Sequence, residues 1–411
     1  MGGAATNGGT PATGLQAALP REHYLPGPAW QREQQRVWRR CWVCVGRAHE
    51  LGLTSPQRLA VVEAGAESVL LSTDAEGRLH AHANVCRHRG AQLCPHLPGA
   101  PPEPAAAGAL RCGYHSWTYG LDGALLRAPH TEGVAGFDPA AFALHRIAVE
   151  TWGGFVFVRL SPAAQGGPDD DTEGDEPGGR TLAEELGGVP ERTVRYPLAE
   201  LVSVHRIEYD VAANWKVLAE NYNECYHCAG VHPELTRLVP AFGHGGMGPD
   251  GTGLDWDAGI PHRDGAWTFS FSGTSPRRPF PGLDAGERVR HKGELVYPNL
   301  LLSLSADHAA SFVLQPLAAD RTRITFDVLV DPGQAQLPVE DCAGFWDLTN
   351  RQDWAICESV QRGMTSSFYG QGWYAPMEDA SLDIRRWLLP RLADPQEPAG
   401  PQNLAHPQER T

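Results

Sequence analysis

Two short stretches of the sequence carry cysteine and histidine in the same order at short spacing. Cys86 and His88 lie in NVCRHRG, and Cys112 and His115 lie in RCGYHSWTYGLDG, which gives C-x-H, then 23 residues, then C-x-x-H. Two thiolates and two imidazoles can hold a tetrahedral zinc ion or a two-iron cluster with mixed ligands. The pattern therefore predicts a metal centre, unless the four are unrelated polar residues of a β-rich region.

The spacing distinguishes the two kinds of metal centre. Zinc sites usually pair cysteine with cysteine and histidine with histidine in each short arm, whereas each arm here carries one of each. Two such loops can give one ligand to each iron of a [2Fe–2S] cluster. We expect this cluster rather than zinc, with the Pro/Ala-rich residues 97–109 bulging outward between the arms.

A second group of metal-binding residue types lies in NWKVLAENYNECYHCAGVHPEL, residues 214–235. If this stretch is helical, Glu224 and His227 share a face because they are three residues apart. Gly230 precedes His232 and Pro233 follows it, so the chain can leave the helix and fold His232 back. Two imidazoles and one carboxylate with open positions are the ligand set of non-heme Fe(II) oxygenases.

The carboxylate of this second site must come from elsewhere, and Asp353 is the best candidate. It lies in FWDLTNRQDWAICESVQRGM, which we predict to be part of a long helix. One helical stripe there holds Thr349, Asp353, Ile356 and Val360. Apolar residues on that stripe predict that it faces inward, where a carboxylate needs a partner such as a metal. Asp347 and Glu358 are competitors, and Asp353 as a simple surface acid is the remaining alternative.

The elements that must position these residues change character along the chain. Residues 45–160 contain short β-like runs such as RLAVVEA and GGFVFVRL, with turn residues between them. After residue 190, NWKVLAENYNECYH is typical of a helix with Asn214 as its N-cap, and AWTFSFSG, NLLLSLS, ASFVLQPL and TRITFDVLV are typical of strands. The predicted fold class is α+β, an all-β metal module followed by an antiparallel sheet covered by helices.

Composition sets the domain limits. The predicted organisation is a disordered tail at 1–20, an N-terminal helical segment at 21–44, the all-β metal domain at 45–160, an acidic loop at 161–182, the catalytic domain at 183–393 and a second disordered tail at 394–411. We expect the segment 21–44 to lie against the catalytic domain. The loop and both tails are rich in Gly, Pro and polar residues, which disfavour a packed core.

The bulk charge narrows the choice of partners. The chain has 411 residues and a formal net charge of −15, which argues against nucleic acid and against an anionic membrane surface but allows a cationic substrate. It has no apolar run long enough to span a bilayer, and its first residues do not have the pattern of a secretory signal. Nine cysteines, an odd number spread over a large chain, favour a reducing cytoplasm over a disulfide framework.

Taken together, the motifs resemble those of the Rieske non-heme iron oxygenase α subunits. NVCRHRG and RCGYHSWTYGLDG are similar to the family's Rieske motif, NWKVLAENYNECYHCAGVHPEL to its mononuclear-iron motif, and QDWAICESVQRG to its distal carboxylate motif. The resemblance implies a Rieske [2Fe–2S] domain and a helix-grip-like catalytic domain that binds one mononuclear non-heme Fe(II). It also implies a homotrimer in which the cluster of one subunit lies next to the iron of its neighbour.

Carried over residue by residue, the resemblance gives each of these side chains a role. Cys86, His88, Cys112 and His115 would bind the cluster, and His227, His232 and Asp353 would bind the catalytic iron. Glu224 occupies the position of the acidic bridge between the two centres, and Tyr222 lies two residues before it, so we assign both to catalysis. The expected electron path runs from His115 or His88 through Glu224 to His227 across a subunit interface.

The substrate is predicted from the same resemblance. ENYNECYHCAGVHPEL is most similar to the choline, glycine betaine and carnitine monooxygenase branch, which implies hydroxylation or N-demethylation of a small quaternary amine such as a betaine. Aromatic side chains attract such cations, and the candidates are Trp267, Phe269, Trp373 and Tyr374. An aromatic-ring hydroxylating dioxygenase with the same metal centres is the alternative. An electron-transfer or zinc-binding protein is the alternative from another class.

The source of electrons is expected to be a separate protein. GHGGMG at residues 243–248 matches G-x-G-x-x-G, but no predicted strand leads into it and no predicted helix follows it. With no flavin or dinucleotide site predicted in the chain, we expect an NAD(P)H-dependent flavin or ferredoxin reductase as partner. The other reactants would be O2 and a small-molecule substrate.

Overall fold

The computed structural model describes residues 15–94, 108–160, 180–245 and 255–393, and within them the chain forms two sheet-based units. The predicted α+β fold class, an all-β unit followed by an antiparallel sheet covered by helices, is confirmed. No helix among the described residues combines the length and apolar character needed to cross a lipid bilayer.

The first described residues depart from the predicted tail at 1–20. Residues 1–14 lie outside the described part, but Gln16–Pro20 form strand β1, which pairs antiparallel with Gln371–Tyr374 near the other end of the chain. Leu19 is fully buried in the main core. The prediction of disorder to residue 20 was therefore wrong, because these apolar residues gain both a backbone partner and a buried surface.

The segment that follows lies against the second unit. Helix α1 (Pro28–Glu33) has proline at its first position and continues as a wider helical turn through Trp38. The Trp38 ring meets the edge of Trp215 at 5.5 Å between ring centroids. Glu33, fully buried, pairs with the Lys216 ammonium at 2.6 Å. The next strand begins at Val43, two residues before the predicted boundary at 45.

The first unit is a six-stranded antiparallel sheet with a small three-stranded sheet beside it. The strands of the large sheet are β2 (Val43–Arg47), β3 (Arg58–Ala64), β4 (Glu67–Thr73), β5 (Leu79–Ala83), β9 (Arg146–Trp152) and β10 (Phe155–Arg159), and those of the small sheet are β6 (Ala109–Arg111), β7 (Thr118–Gly120) and β8 (Leu125–Arg127). The order of strands across the large sheet is β2-β10-β9-β5-β4-β3. Gly65 turns β3 into β4 with φ of +55°, and a Cβ there would come within 2.9 Å of Trp38 Cβ. Only glycine fits this turn without strain.

The second unit has a six-stranded antiparallel sheet formed by β11 (Val202–Val211), β12 (Ile260–Pro261), β13 (Arg290–Val296), β14 (Leu300–Leu304), β15 (His308–Ala318) and β16 (Arg321–Val330). The order of strands across this sheet is β11-β16-β15-β14-β13-β12. A further strand, β17 (Gln371–Tyr374), pairs with β1. The helices are α2 (Leu182–Leu186), α3 (Val189–Thr193), α4 (Trp215–Tyr222), α5 (Cys228–Val231), α6 (Pro233–Leu238), α7 (Glu340–Met364) and α8 (Asp379–Leu392). Strands β14, β15 and β16 carry long buried runs, in agreement with their predicted strand character.

Two predictions about this unit need correction. AWTFSFSG, residues 266–273, forms bends and turns rather than the predicted strand, so its aromatic side chains do not share one sheet face. The predicted inward stripe on α7 is wrong in its second half, since Thr349 is buried but Ile356 and Val360 are 38% and 41% exposed. The buried face of α7 instead includes Phe345, Trp346 and Cys357.

Several predicted loops fall outside the described residues. These are residues 95–107 between the two Cys/His arms, 161–179 in the acidic loop, and 394–411 at the end of the chain. The predicted acidic loop ends at 182, but Thr181 already caps α2 by accepting a hydrogen bond from the Glu184 backbone N–H at 3.2 Å. Residues 180–182 therefore begin the second unit.

Candidate metal centres and the adjoining cavity

Three side chains of the second unit converge on one point. His227, His232 and Asp353 each offer a ligand atom, and these atoms all lie within 4.8 Å of one another. Oδ1 of Asp353 lies 3.2 Å from Nε2 of His227 and 2.9 Å from Nε2 of His232. Two imidazole nitrogens and one carboxylate are the protein ligands of a facial triad, which binds one face of a metal ion and leaves its other coordination positions open.

The local chain path explains why the two histidines meet. Helix α4 ends at Tyr222, before Glu224 and His227. The prediction that these two residues share a helix face is therefore wrong. Glu224 instead lies in a turn and accepts hydrogen bonds from the backbone N–H groups of Tyr226 and His227. His232 is the junction between α5 and α6, with φ of −120° and ψ of 69°. The predicted exit from the helix at His232 is thus present.

Hydrogen bonds fix which nitrogen of each ring faces Asp353. Nδ1 of His227 lies 2.5 Å from Oε1 of Glu224, and Nδ1 of His232 lies 2.8 Å from Oε1 of Gln352. A carboxylate or amide oxygen can only accept here, so Nδ1 of each ring donates. Both Nε2 atoms are left to face the carboxylate, which is the arrangement that outer hydrogen bonds give to metal-binding histidines.

The protonation of this group follows from its contacts. Burial by itself lowers the pKa of His227, but hydrogen bonds to Asp353 and Glu224 outweigh burial and raise the pKa to about 10. Burial raises the pKa of Asp353, yet its hydrogen bonds to the two histidines lower it overall. The Nε2 positions can therefore hold either a proton shared with Asp353 or a metal ion. The donor set fits a divalent metal that competes with protons.

In the first unit the other four predicted ligands lie in the loops that follow β5 and β6. Cys86 and Cys112 are 2% exposed, and the rings of His88 and His115 lie 4.7 Å apart between centroids. Tight turns hold both arms, with hydrogen bonds from Gly90 N to Cys86 O at 3.0 Å and from Ser116 N to Cys112 O at 3.1 Å.

The surroundings of these four side chains fit a bound cluster. Nδ1 of His115 is buried without a hydrogen-bond partner, which is costly unless a ligand meets it. Trp117 stacks on His88 at 4.9 Å between ring centroids and shields one side of the pair. Two buried sulfurs and an orphaned imidazole nitrogen are the donors that a [2Fe–2S] cluster with mixed ligands needs.

Comparison with known proteins assigns both units. Residues 41–138 match the Rieske [2Fe-2S] domain family, and residues 198–394 match the ring hydroxylating alpha subunit (catalytic domain) family. This chain belongs to the Rieske non-heme iron oxygenases. The oxygenase therefore carries a Rieske cluster in its first unit and a mononuclear iron in its second. As an oxygenase subunit it works with a reductase that supplies electrons.

Relatives of this oxygenase share most of its length. The glycine betaine monooxygenase oxygenase subunit of Pseudomonas aeruginosa is 28% identical over 405 residues, covering 91% of this chain and 89% of that protein. The carnitine monooxygenase oxygenase subunit of Escherichia coli K12 is 28% identical over 358 residues, covering 86% of each. The crystal structure of the quaternary ammonium Rieske monooxygenase CntA superposes with a TM-score of 0.70 at 21% identity, covering 92% of this chain and 96% of that one.

A cavity of about 240 Å³ lies against the Asp353 site of the oxygenase. Tyr222 lines it, with its hydroxyl donating to Leu302 O at 2.6 Å. Burial raises the pKa of Tyr222 well above its usual range, so it remains a neutral phenol. The predicted catalytic pair, Tyr222 and Glu224, thus lies on the same cavity wall as the two histidines.

Of the four aromatic residues predicted to contact the substrate, only Phe269 lines this cavity. Trp267 packs against a separate core cluster instead. Trp373 and Tyr374 belong to β17, and Tyr374 donates a hydrogen bond to Glu220 at 2.7 Å. They contribute to the N-terminal contact rather than to the cavity.

The aromatic wall comes mainly from residues that sequence patterns did not single out. It consists of Phe242, Trp256, Phe312, Trp346 and Trp354, together with Phe269. Trp346 is held rigidly, since its Nε1–H donates to His308 at 3.0 Å and His308 in turn contacts Asp307 at 2.9 Å. These residues come from different elements and share no local spacing, so no sequence signal could have grouped them.

Proposed function

We propose that this protein is the terminal oxygenase component of a monooxygenase that hydroxylates, and thereby N-demethylates, a small quaternary or tertiary amine. The observation that carries the proposal is that the Asp353 carboxylate and two histidines face a cavity walled by aromatic rings. Such rings attract a desolvated ammonium group through their π faces, while a wide apolar slot without carboxylates would suit an arene better. The related monooxygenases named for glycine betaine and carnitine support the same substrate class.

The proposed ligands follow from the geometry. When bound, the mononuclear iron supplies O2 activation and the cluster supplies one electron at a time. Glu224 and Gln352 keep a proton on Nδ1 of each histidine, so that both Nε2 atoms stay available. The residues that would hold the mononuclear iron are His227, His232 and Asp353, and those that would hold the cluster are Cys86, His88, Cys112 and His115.

The chemistry proposed for the substrate balances with two electrons from the reductase. One N–CH3 group, one O2, two electrons and two protons give N–CH2OH and one water. The carbinol of a quaternary ammonium then loses formaldehyde and one proton and leaves a tertiary amine. The aromatic wall would orient the methyl group and exclude bulk water, which prevents unproductive reduction of oxygen.

The proposed assembly is a homotrimer in which neighbouring subunits share electrons. Both sites reach the surface, and each has an exposed aromatic beside it: Tyr114 is 58% exposed and Tyr226 is 57% exposed. An interface would cover these rings. Inter-subunit electron transfer is described for CntA, whose fold this chain shares. Glu224, next to Tyr226, would bridge such an interface.

The cell compartment proposed is the cytoplasm. None of the nine cysteines, all of which the structure describes, forms a disulfide, and eight of them are buried. Free thiols persist in a reducing compartment, where an NAD(P)H-dependent reductase also finds its donor.

The test is a substrate screen with the reconstituted enzyme. The holoenzyme, supplied with NADH and a generic reductase, is offered betaines, choline, N-methyl amines and arenes, and formaldehyde and O2 uptake are measured. We expect formaldehyde to form in step with O2 uptake for at least one ammonium compound. Products hydroxylated on an aromatic ring, with no turnover of any amine, would refute the proposal. A chain that binds zinc and no acid-labile sulfide would refute the oxygenase assignment itself.

A further inference from the structure

The cavity beside Asp353 has an unusual balance of charge for a site that would take a betaine. Its described lining includes the carboxylates of Glu224 and Asp353 and the imidazoles of His227, His232 and His291, but no lysine or arginine. Residues 246–254, which lie outside the described part between two lining residues, contain no lysine or arginine in the sequence either. A carboxylate on the substrate would therefore find no basic partner on this wall.

A bound iron would not supply the positive charge that a substrate carboxylate needs. A ferrous ion brings two positive charges, and the carboxylates of Asp353 and Glu224 balance them, so the occupied site is formally neutral. An additional buried carboxylate without a partner is strongly unfavourable, because it gives up its hydration and gains no opposite charge. An ammonium group, by contrast, meets the faces of aromatic rings, which attract it without a counter-charge. The wall thus favours a substrate with a net positive charge.

His291 lines this cavity and has a ring nitrogen that no described residue meets with a hydrogen bond. It lies on β13, is 8% exposed, and its Nδ1 is buried with no hydrogen-bond partner among the described residues. Its ring stacks on Phe269 at 4.1 Å between centroids and meets the edge of Phe242 at 6.2 Å, so its orientation is fixed by packing. A buried imidazole that is held in place but left unsatisfied requires an explanation.

The charge state of His291 determines what it can recognise. Burial lowers its pKa well below the usual value, and the nearby imidazoles His262 and His308 lower it further. The ring is therefore neutral at physiological pH and cannot replace the missing cation. A neutral imidazole can still exchange a hydrogen bond with a hydroxyl, an ester or an amide oxygen.

We propose that the substrate is a cationic N-methyl amine without a carboxylate, whose neutral oxygen hydrogen-bonds with the His291 ring. The inference rests on the proposed amine oxygenase function and deepens it by naming the charge and the polar group of the substrate. His291 is then a specificity-determining residue, and the aromatic wall holds the ammonium end toward Asp353.

The first test compares ligands that differ only in the group opposite the ammonium. Choline, glycine betaine and betaine methyl ester share a trimethylammonium and carry a hydroxyl, a carboxylate and a neutral ester. Binding to the anaerobic holoenzyme is measured by calorimetry and by quenching of tryptophan fluorescence, since Trp256 and Trp346 line the cavity. We expect choline and the ester to bind at least about tenfold more tightly than glycine betaine.

The outcomes of this comparison are distinct. Glycine betaine binding as tightly as its methyl ester, or more tightly, overturns the inference while leaving the amine oxygenase function intact. Binding of arenes such as indole with no binding of any ammonium compound overturns both. Neither result depends on a variant that has to fold.

The second test removes the proposed contact. In His291→Leu, choline should lose about tenfold in affinity, while ethyltrimethylammonium, which has no oxygen, should change little. His291→Gln retains a hydrogen-bonding side chain and should preserve most of the preference for choline. An equal loss for both ligands in His291→Leu would mean that the ring only packs, and the assignment of His291 would fail. Iron content and melting temperature establish that each variant is folded and loaded.

Discussion

Oε1 of Gln352 lies 2.8 Å from Nδ1 of His232. The next residue along the chain, Asp353, places its Oδ1 2.9 Å from Nε2 of the same ring. Helix α7 thus contributes both the candidate ligand Asp353 and the group that orients its partner. Nε2 of Gln352 also approaches Glu234 at 3.3 Å, which keeps the amide oxygen directed at the ring. The orientation of His232 therefore depends on a residue that makes no contact with the metal position itself.

Replacing Gln352 by leucine should weaken iron binding without unfolding the chain. The lost acceptor frees the His232 ring to rotate, and changes of this kind typically cost 10–100-fold in metal affinity, about the loss we expect here. The measurement is iron retained during titration with a chelator. Gln336→Leu, in the turn before α7, is the matched control and should retain its iron. Unchanged retention in Gln352→Leu would show that His232 is oriented by packing alone.

Asp353→Asn should remove the mononuclear iron and leave the cluster in place. The amide is a much weaker ligand than the carboxylate, so we expect iron to fall from about three to about two atoms per chain with acid-labile sulfide unchanged. Asp347→Asn is the control on the same helix, because Asp347 accepts from Tyr209 at 2.7 Å and contacts Arg351 at 2.8 Å but hydrogen-bonds to no histidine of the described residues. If Asp347→Asn loses iron and Asp353→Asn does not, the assigned ligand is wrong.

The ligand types were predictable because they lie close together in sequence. C-x-H and C-x-x-H, and the two histidines five residues apart, are local patterns whose chemistry is limited by the residue types themselves. Asp353 was identified for a wrong reason, since the apolar stripe assumed to face inward contains the exposed Ile356 and Val360. An ideal helical wheel could not reveal that α7 is buried through the face that includes Phe345 and Cys357.

The substrate wall could not be predicted in the same way. Phe269 comes from an irregular segment, His291 from β13 and Trp346 from α7, and only the tertiary fold brings them together. Trp373 was predicted because aromatic rings attract cations, but its strand pairs with β1 and its side chain does not line the cavity. The strand pattern of residues 266–273 was misleading, because the segment forms bends in which Thr268, Phe269 and Ser270 are all buried while Phe271 is 52% exposed.

Glu224→Gln should leave both metals bound and nearly abolish turnover. The glutamine oxygen can still accept from Nδ1 of His227, so the ring keeps its orientation, but the negative charge beside the proposed subunit interface is lost. Steady-state O2 uptake and formaldehyde release are measured beside iron and sulfide content. The matched control is Glu358→Gln on α7, because Glu358 accepts from the Ala212 backbone N–H at 3.1 Å and hydrogen-bonds to no histidine in the part of the chain that the structure describes. Full activity in Glu224→Gln would remove the bridging role.

Tyr119→Phe should lower the reduction potential of the cluster. The Tyr119 oxygen accepts from the Arg87 backbone N–H at 3.1 Å, so its own proton is directed to Sγ of Cys86, 3.3 Å away. A hydrogen bond to a ligand sulfur stabilises the reduced, more negative cluster. Loss of about 1 kcal/mol corresponds to a decrease of about 40 mV in a one-electron couple.

The potential is measured by redox titration followed by circular dichroism or electron paramagnetic resonance. Tyr114→Phe is the control. The Tyr114 ring lies tilted against His115 at 3.7 Å between ring centroids, but its hydroxyl makes no comparable contact with a sulfur among the described residues. A potential that is unchanged or higher in Tyr119→Phe would mean that the phenol does not donate to Cys86.

The buried carboxyl of Glu220 should make the stability of the second unit depend on pH. Burial raises its pKa to about 7, although hydrogen bonds from Tyr24 at 2.6 Å and from Tyr374 at 2.7 Å partly oppose that rise. The folded chain therefore binds this proton more tightly than the unfolded chain, whose carboxyl has its ordinary pKa near 4.5. The stabilisation is complete below pH 4.5 and is lost as the pH rises through about 7.

Glu220→Gln isolates this contribution because the amide does not titrate and can still accept from both tyrosines. Between pH 4.5 and 8, the free energy of unfolding of the wild type should fall relative to that of Glu220→Gln by roughly 3 kcal/mol. Urea titrations at a series of pH values give both free energies, and their difference cancels the other titrating groups. A difference that is flat with pH, or one that changes in the opposite direction, would show that Glu220 is ionised in the folded chain. The carboxylate would then be stabilised by Tyr24 and Tyr374 more strongly than burial destabilises it.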